Sequence, residues 1–279
     1  MVVAVIGTGL IGGSMALTLK ENGHATKVIG VDKNPHNLEK AIELKLIDEA
    51  LKLEDAICLA DIVIIATPVD ATEYLLPRIL DLIADQVIMD VASIKGAIIE
   101  VIKDHKKRGR FVATHPMWGT EYSGPEAAVH GAFVDKATVI CNAAESDADA
   151  LKVVQEIYQA LKMEIVYMNA AEHDTHVAYV SHISHITSFA LANTVLEKEK
   201  EEDAIFSLAS GGFESTVRLA KSNPSMWVPI FMQNRENVLD VLNEHIVQLR
   251  KFKSCLEKEN FQYLEELIVN ANKIGKIIK

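Results

Sequence analysis

The chain has 279 residues, 49% of them hydrophobic, and a formal net charge of −11, so it can bury two modest cores, and with no basic stripe it is excluded as a general nucleic-acid binder. Its three cysteines, Cys58, Cys141 and Cys255, stand far apart with no CxxC pair, which argues against a disulfide framework or a zinc ribbon, and no metal site is expected because no His/Cys/Asp set repeats at ligand spacing with a fourth partner. No stretch approaches the roughly 20 apolar residues of a membrane span and Val2 to Ile6 is too short for a signal-peptide core, so no membrane association and a cytoplasmic location are expected.

The first half alternates short apolar runs with amphipathic segments. The runs are Val2 to Gly7, Lys27 to Asp32, Ile62 to Pro68, Gln86 to Ser93 and Arg110 to His115. They are apolar at successive positions and not at every second one, as in strands covered on both faces, which predicts a doubly wound parallel sheet of Rossmann type. Gly7-Thr8-Gly9-Leu10-Ile11-Gly12 joins the first run to a helical pattern, and Asp32 closes the second run 20 residues after Gly12. In that setting the glycines read as a dinucleotide site: Gly7 for the tight turn, Gly9 for approach of the pyrophosphate, Gly12 for close helix packing. Asp32 is expected to accept hydrogen bonds from the adenosine ribose and to repel a 2′-phosphate, which favours NAD over NADP, with Lys33 partly offsetting that charge. Thr67 and Pro68, and likewise Ser93, end strands at the carboxyl edge where ligands bind in such sheets; Ser93 reads equally as the N-cap of a helix over Lys95 to Lys107.

His115 ends the fifth run and is placed at the same edge, near the nicotinamide, where an imidazole suits removal of a proton from an alcohol as hydride leaves. A long loop from Pro116 to Gly131 forms a candidate wall. Then follow a strand at Ala137 to Cys141, a helix over Asp149 to Leu161 with Ser146 or Asp147 as cap, and a strand at Ile165 to Met168. From Asn169 onward the pattern is helical throughout, which divides the chain into a nucleotide-binding domain, 1–168, and an all-helical substrate and dimerisation domain, 169–279. Its first helix, Ala170 to Glu197, is apolar over much of its circumference from Val177 to Leu196; burial on several sides is expected, by pairing in a homodimer. Ser181 and His185 share one face of that helix, with His182 beside them. His173, Asp174 and His176 cluster at its start, where a structural role is favoured.

The whole chain resembles the prephenate dehydrogenase family, which includes the arogenate dehydrogenases. The resemblance rests on the Gly7–Gly12 fingerprint, Asp90-Val91-Ala92-Ser93-Ile94-Lys95, and His115-Pro116-Met117-Trp118-Gly119-Thr120-Glu121. It continues through His173-Asp174, Ser181 to His185, and Gly211-Gly212-Phe213 followed by Arg218 and Trp227. It implies NAD-dependent oxidative decarboxylation of prephenate to 4-hydroxyphenylpyruvate in tyrosine biosynthesis, with His115 as the base and Ser93 orienting the ring hydroxyl. By the same resemblance Arg218 holds a substrate carboxylate, Ser181, His182 and His185 line the pocket, and Trp227 and Glu121 close it. From the residues alone Arg218 reads also as a solvated helix residue, Trp227 as a core aromatic and Glu121 as a loop charge. Ser184 and Ala92 depart from the family's common proline and glycine, changes of backbone shape that remove no reacting group. Neither a chorismate mutase segment nor a C-terminal regulatory domain is expected. The alternatives are an arogenate dehydrogenase, a 3-hydroxyacid dehydrogenase or imine reductase of the same two-domain plan, and a non-catalytic NAD-sensing module.

Overall fold

The computed structural model describes residues 1–200 and 205–277. Eight strands form one sheet in the order β3-β2-β1-β4-β5-β6-β7-β8: β1 Val2–Ile6, β2 Lys27–Val31, β3 Glu49–Ala50, β4 Ile62–Ile65, β5 Val87–Asp90, β6 Phe111–Pro116, β7 Ala137–Cys141 and β8 Glu164–Met168. The first six are parallel, as the apolar runs imply. The remaining pair corrects that expectation in part, because β7 runs antiparallel to β6, with His115 opposite Val139, and β8 then runs parallel to β7. The reason lies in the connection: the loop after Pro116 carries no crossover helix, so it brings the chain back along the strand it has just left.

Side chains along β1, β4, β5, β6 and β7 alternate between two buried apolar layers, whereas the edge strand β8 is largely exposed. One holds Ala4, Ile6, Val63, Ile65 and Ile88 against the helices α3 (Leu53–Leu59), α4 (Val69–Leu82) and α5 (Gly96–Glu100). The other holds Val3, Val5, Ile62, Ile64 and Met89 against α1 (Leu10–Glu21) and α6 (Ala148–Ala160). Between β2 and β3 lies α2 (Pro35–Glu43), started by Asn34, whose side chain accepts from His36 N at 3.1 Å, with Pro35 at the first helical position.

The helix expected over Lys95 to Lys107 is shorter, ending at Glu100, because no apolar residue beyond the buried Ile102 holds the polar run Lys103 to Lys107 against the sheet. Ser93 is not its cap. From Asn169 onward every described regular element is helical. The long helix is three pieces: α7 Ala170–Val177, a π-helical turn Ala178–His182, and α8 Ile183–Glu199. Asn169 and Glu172 form a reciprocal capping box at its start. The expected burial is not met within one chain. Ser188 is the buried residue of α8, whereas Val180 is 66% exposed and Leu196 50%. Two further helices, α9 Gly211–Val217 and α10 Pro224–Gln233, follow.

By compactness the chain divides at Asn234/Arg235, into Met1–Asn234 and Arg235–Lys279, while the change from mixed to helical structure falls at Met168/Asn169. The second unit is a helical hairpin, α11 Arg235–Glu257 and α12 Phe261–Ala271, with the Asn260 side chain accepting from Tyr263 N at 3.1 Å. Among the described residues no helix is long and apolar enough to cross a membrane.

Candidate active site

The carboxyl ends of β1, β2, β4, β5 and β6 carry the cofactor and base residues singled out by sequence. Gly7 turns the chain at φ +97°, and a Cβ there would lie 2.4 Å from Ala66 O, so only glycine fits between β1 and the end of β4. Gly12 is equally confined, its imagined Cβ falling 2.1 Å from Gly7 O, whereas at Gly9 nothing lies nearer than 3.9 Å. Gly9 therefore leaves open space in front of the first turn of α1, where Leu10, Ile11 and Gly12 present helix-terminal amides and no acidic residue intrudes. A dinucleotide phosphate fits that cradle. Asp32 leans back onto the turn, its Oδ2 accepting from Thr8 N at 3.1 Å and Thr8 Oγ1 at 3.2 Å, while Asn37 Nδ2 reaches both carboxylate oxygens at 3.3 Å. Thr67 is held through its hydroxyl, 2.9 Å from that of Thr72, and Pro68 caps α4.

Beyond the last register pair of β5 and β6 the two strands are stitched by side chains. Asp90 and Lys95 form a fully buried ion pair. Asp90 Oδ1 accepts from Thr114 N at 3.1 Å and Oδ2 from Ala92 N at 2.9 Å, while Lys95 Nζ donates to Thr114 O at 2.7 Å. Every polar atom of the pair thus has a partner next to His115, and removing either charge would leave the other buried alone, a loss of about 3–5 kcal/mol. Ser93 sits half-buried in the loop between these two residues.

His115 is half-buried at the end of β6, and its Nδ1 lies 2.9 Å from His173 Nε2. His173 Nδ1 in turn lies 2.8 Å from Asp174 Oδ1. That carboxylate also accepts from Lys95 N at 2.8 Å and Gly96 N at 2.7 Å, capping α5 from another element in the way expected of Ser93. His173 and Asp174 are buried, while His176 of the same cluster is exposed. Sequence reading named His173 and Asp174 without giving them a place in the site; Asp90 and Lys95 appeared only as motif letters. Burial, then the neighbouring His173, Lys95 and His182, hold the His115 imidazole well below its ordinary range, so it is neutral at physiological pH.

On the helical side, the π turn places Ser181 O 3.0 Å from His185 Nδ1; a carbonyl only accepts, so Nδ1 carries the proton and Nε2 is bare. His185 stacks on Trp227 at 3.4 Å between ring centroids. Trp227 is buried and its Nε1 has no hydrogen-bond partner among the described residues, an orphan donor of the kind a ligand satisfies. His182 is buried against Trp227 and Phe231 and receives Asn234 Nδ2 on its own Nδ1 at 3.3 Å. Burial pushes it down to about 4. Arg218, half-exposed after α9, donates to Glu121 Oε2 at 2.6 Å across 97 residues of sequence. A backbone hydrogen bond at Glu121 and the Arg218 guanidinium keep that carboxyl below its usual range. Among the described residues no three His, Cys, Asp or Glu side chains converge as a metal site.

Known proteins resemble the chain along its whole length. Residues 15–167 match the family model of the prephenate dehydrogenase nucleotide-binding domain, and residues 169–270 that of the prephenate dehydrogenase dimerization domain. Prephenate dehydrogenase of Bacillus subtilis is 30% identical over 266 residues, covering 94% of this chain and 72% of the relative. Cyclohexadienyl dehydrogenase of Zymomonas mobilis is 29% identical over 280 residues, covering 99% and 96%. Among solved structures, prephenate dehydrogenase from A. aeolicus in complex with hydroxyphenyl propionate and NAD+ superposes with a TM-score of 0.90 at 29% identity, covering 100% of this chain and 98% of that one.

Proposed function

Since the chain belongs to the prephenate dehydrogenase family, we propose that it performs the NAD-dependent oxidative decarboxylation of prephenate to 4-hydroxyphenylpyruvate with His115 as the base. The observation that carries the assignment of the base is the neutral His115 imidazole at the carboxyl edge of β6, on the same sheet edge as the glycine turn. NAD, when bound, supplies the hydride acceptor. The amides of Leu10, Ile11 and Gly12 and the open space at Gly9 take its pyrophosphate, Asp32 with Thr8 takes the ribose hydroxyls, and Thr67, Pro68 and Ser93 border it from the ends of β4 and β5.

His115 accepts the proton of the ring hydroxyl as that carbon gives up hydride. The carbonyl so formed takes the electron pair released when the ring carboxylate leaves as carbon dioxide, becomes the phenolate oxygen of an aromatic ring, and recovers the proton. Positioning and proton movement are therefore what the chain contributes. Ser93 orients the hydroxyl against His115. Arg218 exchanges Glu121 for a substrate carboxylate, and Glu121 closes the mouth. Ser181, His182, His185 and Trp227 line the pocket, with the orphaned Trp227 Nε1 available to a substrate oxygen.

The domain boundary is placed at Met168/Asn169, and the helical half is read as the seat of a homodimer. That reading is supported by the match of 169–270 to a dimerization domain and by the exposed apolar side chains Val180 and Leu196. A cytoplasmic enzyme suits a chain without a membrane-spanning helix among its described residues and with three free thiols.

Initial NADH formation at 340 nm, with prephenate and arogenate offered separately with NAD and then NADP, tests the assignment. Turnover of prephenate with NAD is expected. Turnover of arogenate alone would change the substrate, and silence with both would overturn the reading.

A further inference from the structure

The chain of contacts from His115 to the start of α5 has a chemical consequence beyond holding the base in place. Asp174 accepts from the Lys95 and Gly96 amides, which can only donate, and its Oδ1 also faces His173 Nδ1 at 2.8 Å. A carboxylate has no proton to offer, so His173 Nδ1 must carry one. Neutral His173 then has a bare Nε2, and that atom lies 2.9 Å from His115 Nδ1. Burial is the main force keeping His173 neutral, against the opposing pull of Asp174. Two bare nitrogens cannot share a hydrogen bond, so His115 Nδ1 must be protonated and its Nε2 must hold the lone pair.

We propose that His173, held by Asp174, is a positioning residue that sets the tautomer of His115, leaving Nε2 as the basic nitrogen before any substrate arrives. The inference rests on His115 being the base. Without His173 the ring would divide between two tautomers, and the molecules carrying a proton on Nε2 could not take one from the substrate. His173 would also hold the ring plane, since the two imidazoles meet edge to face at an interplanar angle of 75°.

Two substitutions at one position separate this role from simple packing. In His173→Gln the side-chain oxygen can still accept from His115 Nδ1 while its amide donates to Asp174. In His173→Leu neither bond is possible. The expected result for His173→Leu is a fall in kcat of about 10²-fold or more, with KM for prephenate and the dissociation constant for NAD unchanged. His173→Gln should recover most of that loss. Nitrogen-15 spectra of histidine-labelled protein without ligands should show His115 protonated on Nδ1 in the wild type and in His173→Gln, and a mixture of tautomers in His173→Leu.

Equal damage in both variants, or a His115 tautomer that does not respond to His173→Leu, would overturn the proposal. His115→Asn, measured alongside, keeps the two levels apart. If it is inactive while His173→Leu turns over like the wild type, the positioning role fails and the base survives; if it is itself fully active, the assignment of the base fails and takes the positioning role with it.

Discussion

His115 owes its setting to residues far away in sequence. Thr114 is pinned by Asp90 and Lys95 from the preceding strand and loop, and His173 reaches the ring from 58 residues further along the chain. Replacing the base should therefore be cleaner than replacing its neighbours: His115→Asn keeps a polar side chain of similar reach and disturbs no buried charge. Its kcat is expected to fall by roughly 10²- to 10⁴-fold with NAD affinity nearly intact. Steady-state kinetics beside a fluorescence titration with NAD checks both halves, and wild-type turnover would remove His115 from its role. Arg218 is a different case. Its ion pair sets a half-exposed guanidinium against the largely buried Glu121 carboxylate, and the value of the pair lies in being exchangeable.

At the scale of elements, the π-helical turn between α7 and α8 gathers groups that a regular helix would space differently. It gives Ser181 O to His185 and buries His182 against the aromatic rings of α10. A histidine held at about 4 when folded and near its ordinary 6.5 when unfolded refuses a proton that the unfolded chain accepts between those values. Stability is thus complete above pH 6.5 and is lost as pH falls toward 4, by roughly 3 kcal/mol for this one residue. His115, His173 and His185 act in the same direction. Urea unfolding at pH 7 and pH 4 should show a smaller drop for His182→Gln than for the wild type; identical drops would show that His182 is not the acid-sensitive group. None of this turn is legible in the sequence, where Ala170 to Glu197 reads as one uninterrupted periodic helix, because an inserted residue leaves no compositional mark. The glycine turn is legible to the residue, since only glycine satisfies the clash with Ala66 O. So are the parallel strands, whose continuous apolar runs have one physical cause. The reversal at β7 and the capping of α5 by Asp174 are not, because both depend on contacts between segments far apart.

The whole molecule shows a mismatch between its two halves. The central strands are covered on both faces, whereas along the long helix Val180 and Leu196 are left half-exposed or more among the described residues. Sedimentation equilibrium is expected to give about 61 kDa, twice the 30.7 kDa of a single chain, with Leu196→Asp shifting the mass toward the monomer. A wild-type mass of one chain would reject the pairing. The buried cluster around Lys95, Asp90 and His173 carries a different implication, for how such a chain can change over generations. Selection for heat resistance alone would keep Asp90 and Lys95, since an apolar pair would leave the buried Thr114 and Ala92 backbone groups without partners. A laboratory lineage bred only for endurance should therefore carry the scaffold of its chemistry along unselected, and drift first at His173, whose removal orphans no backbone group on the sheet.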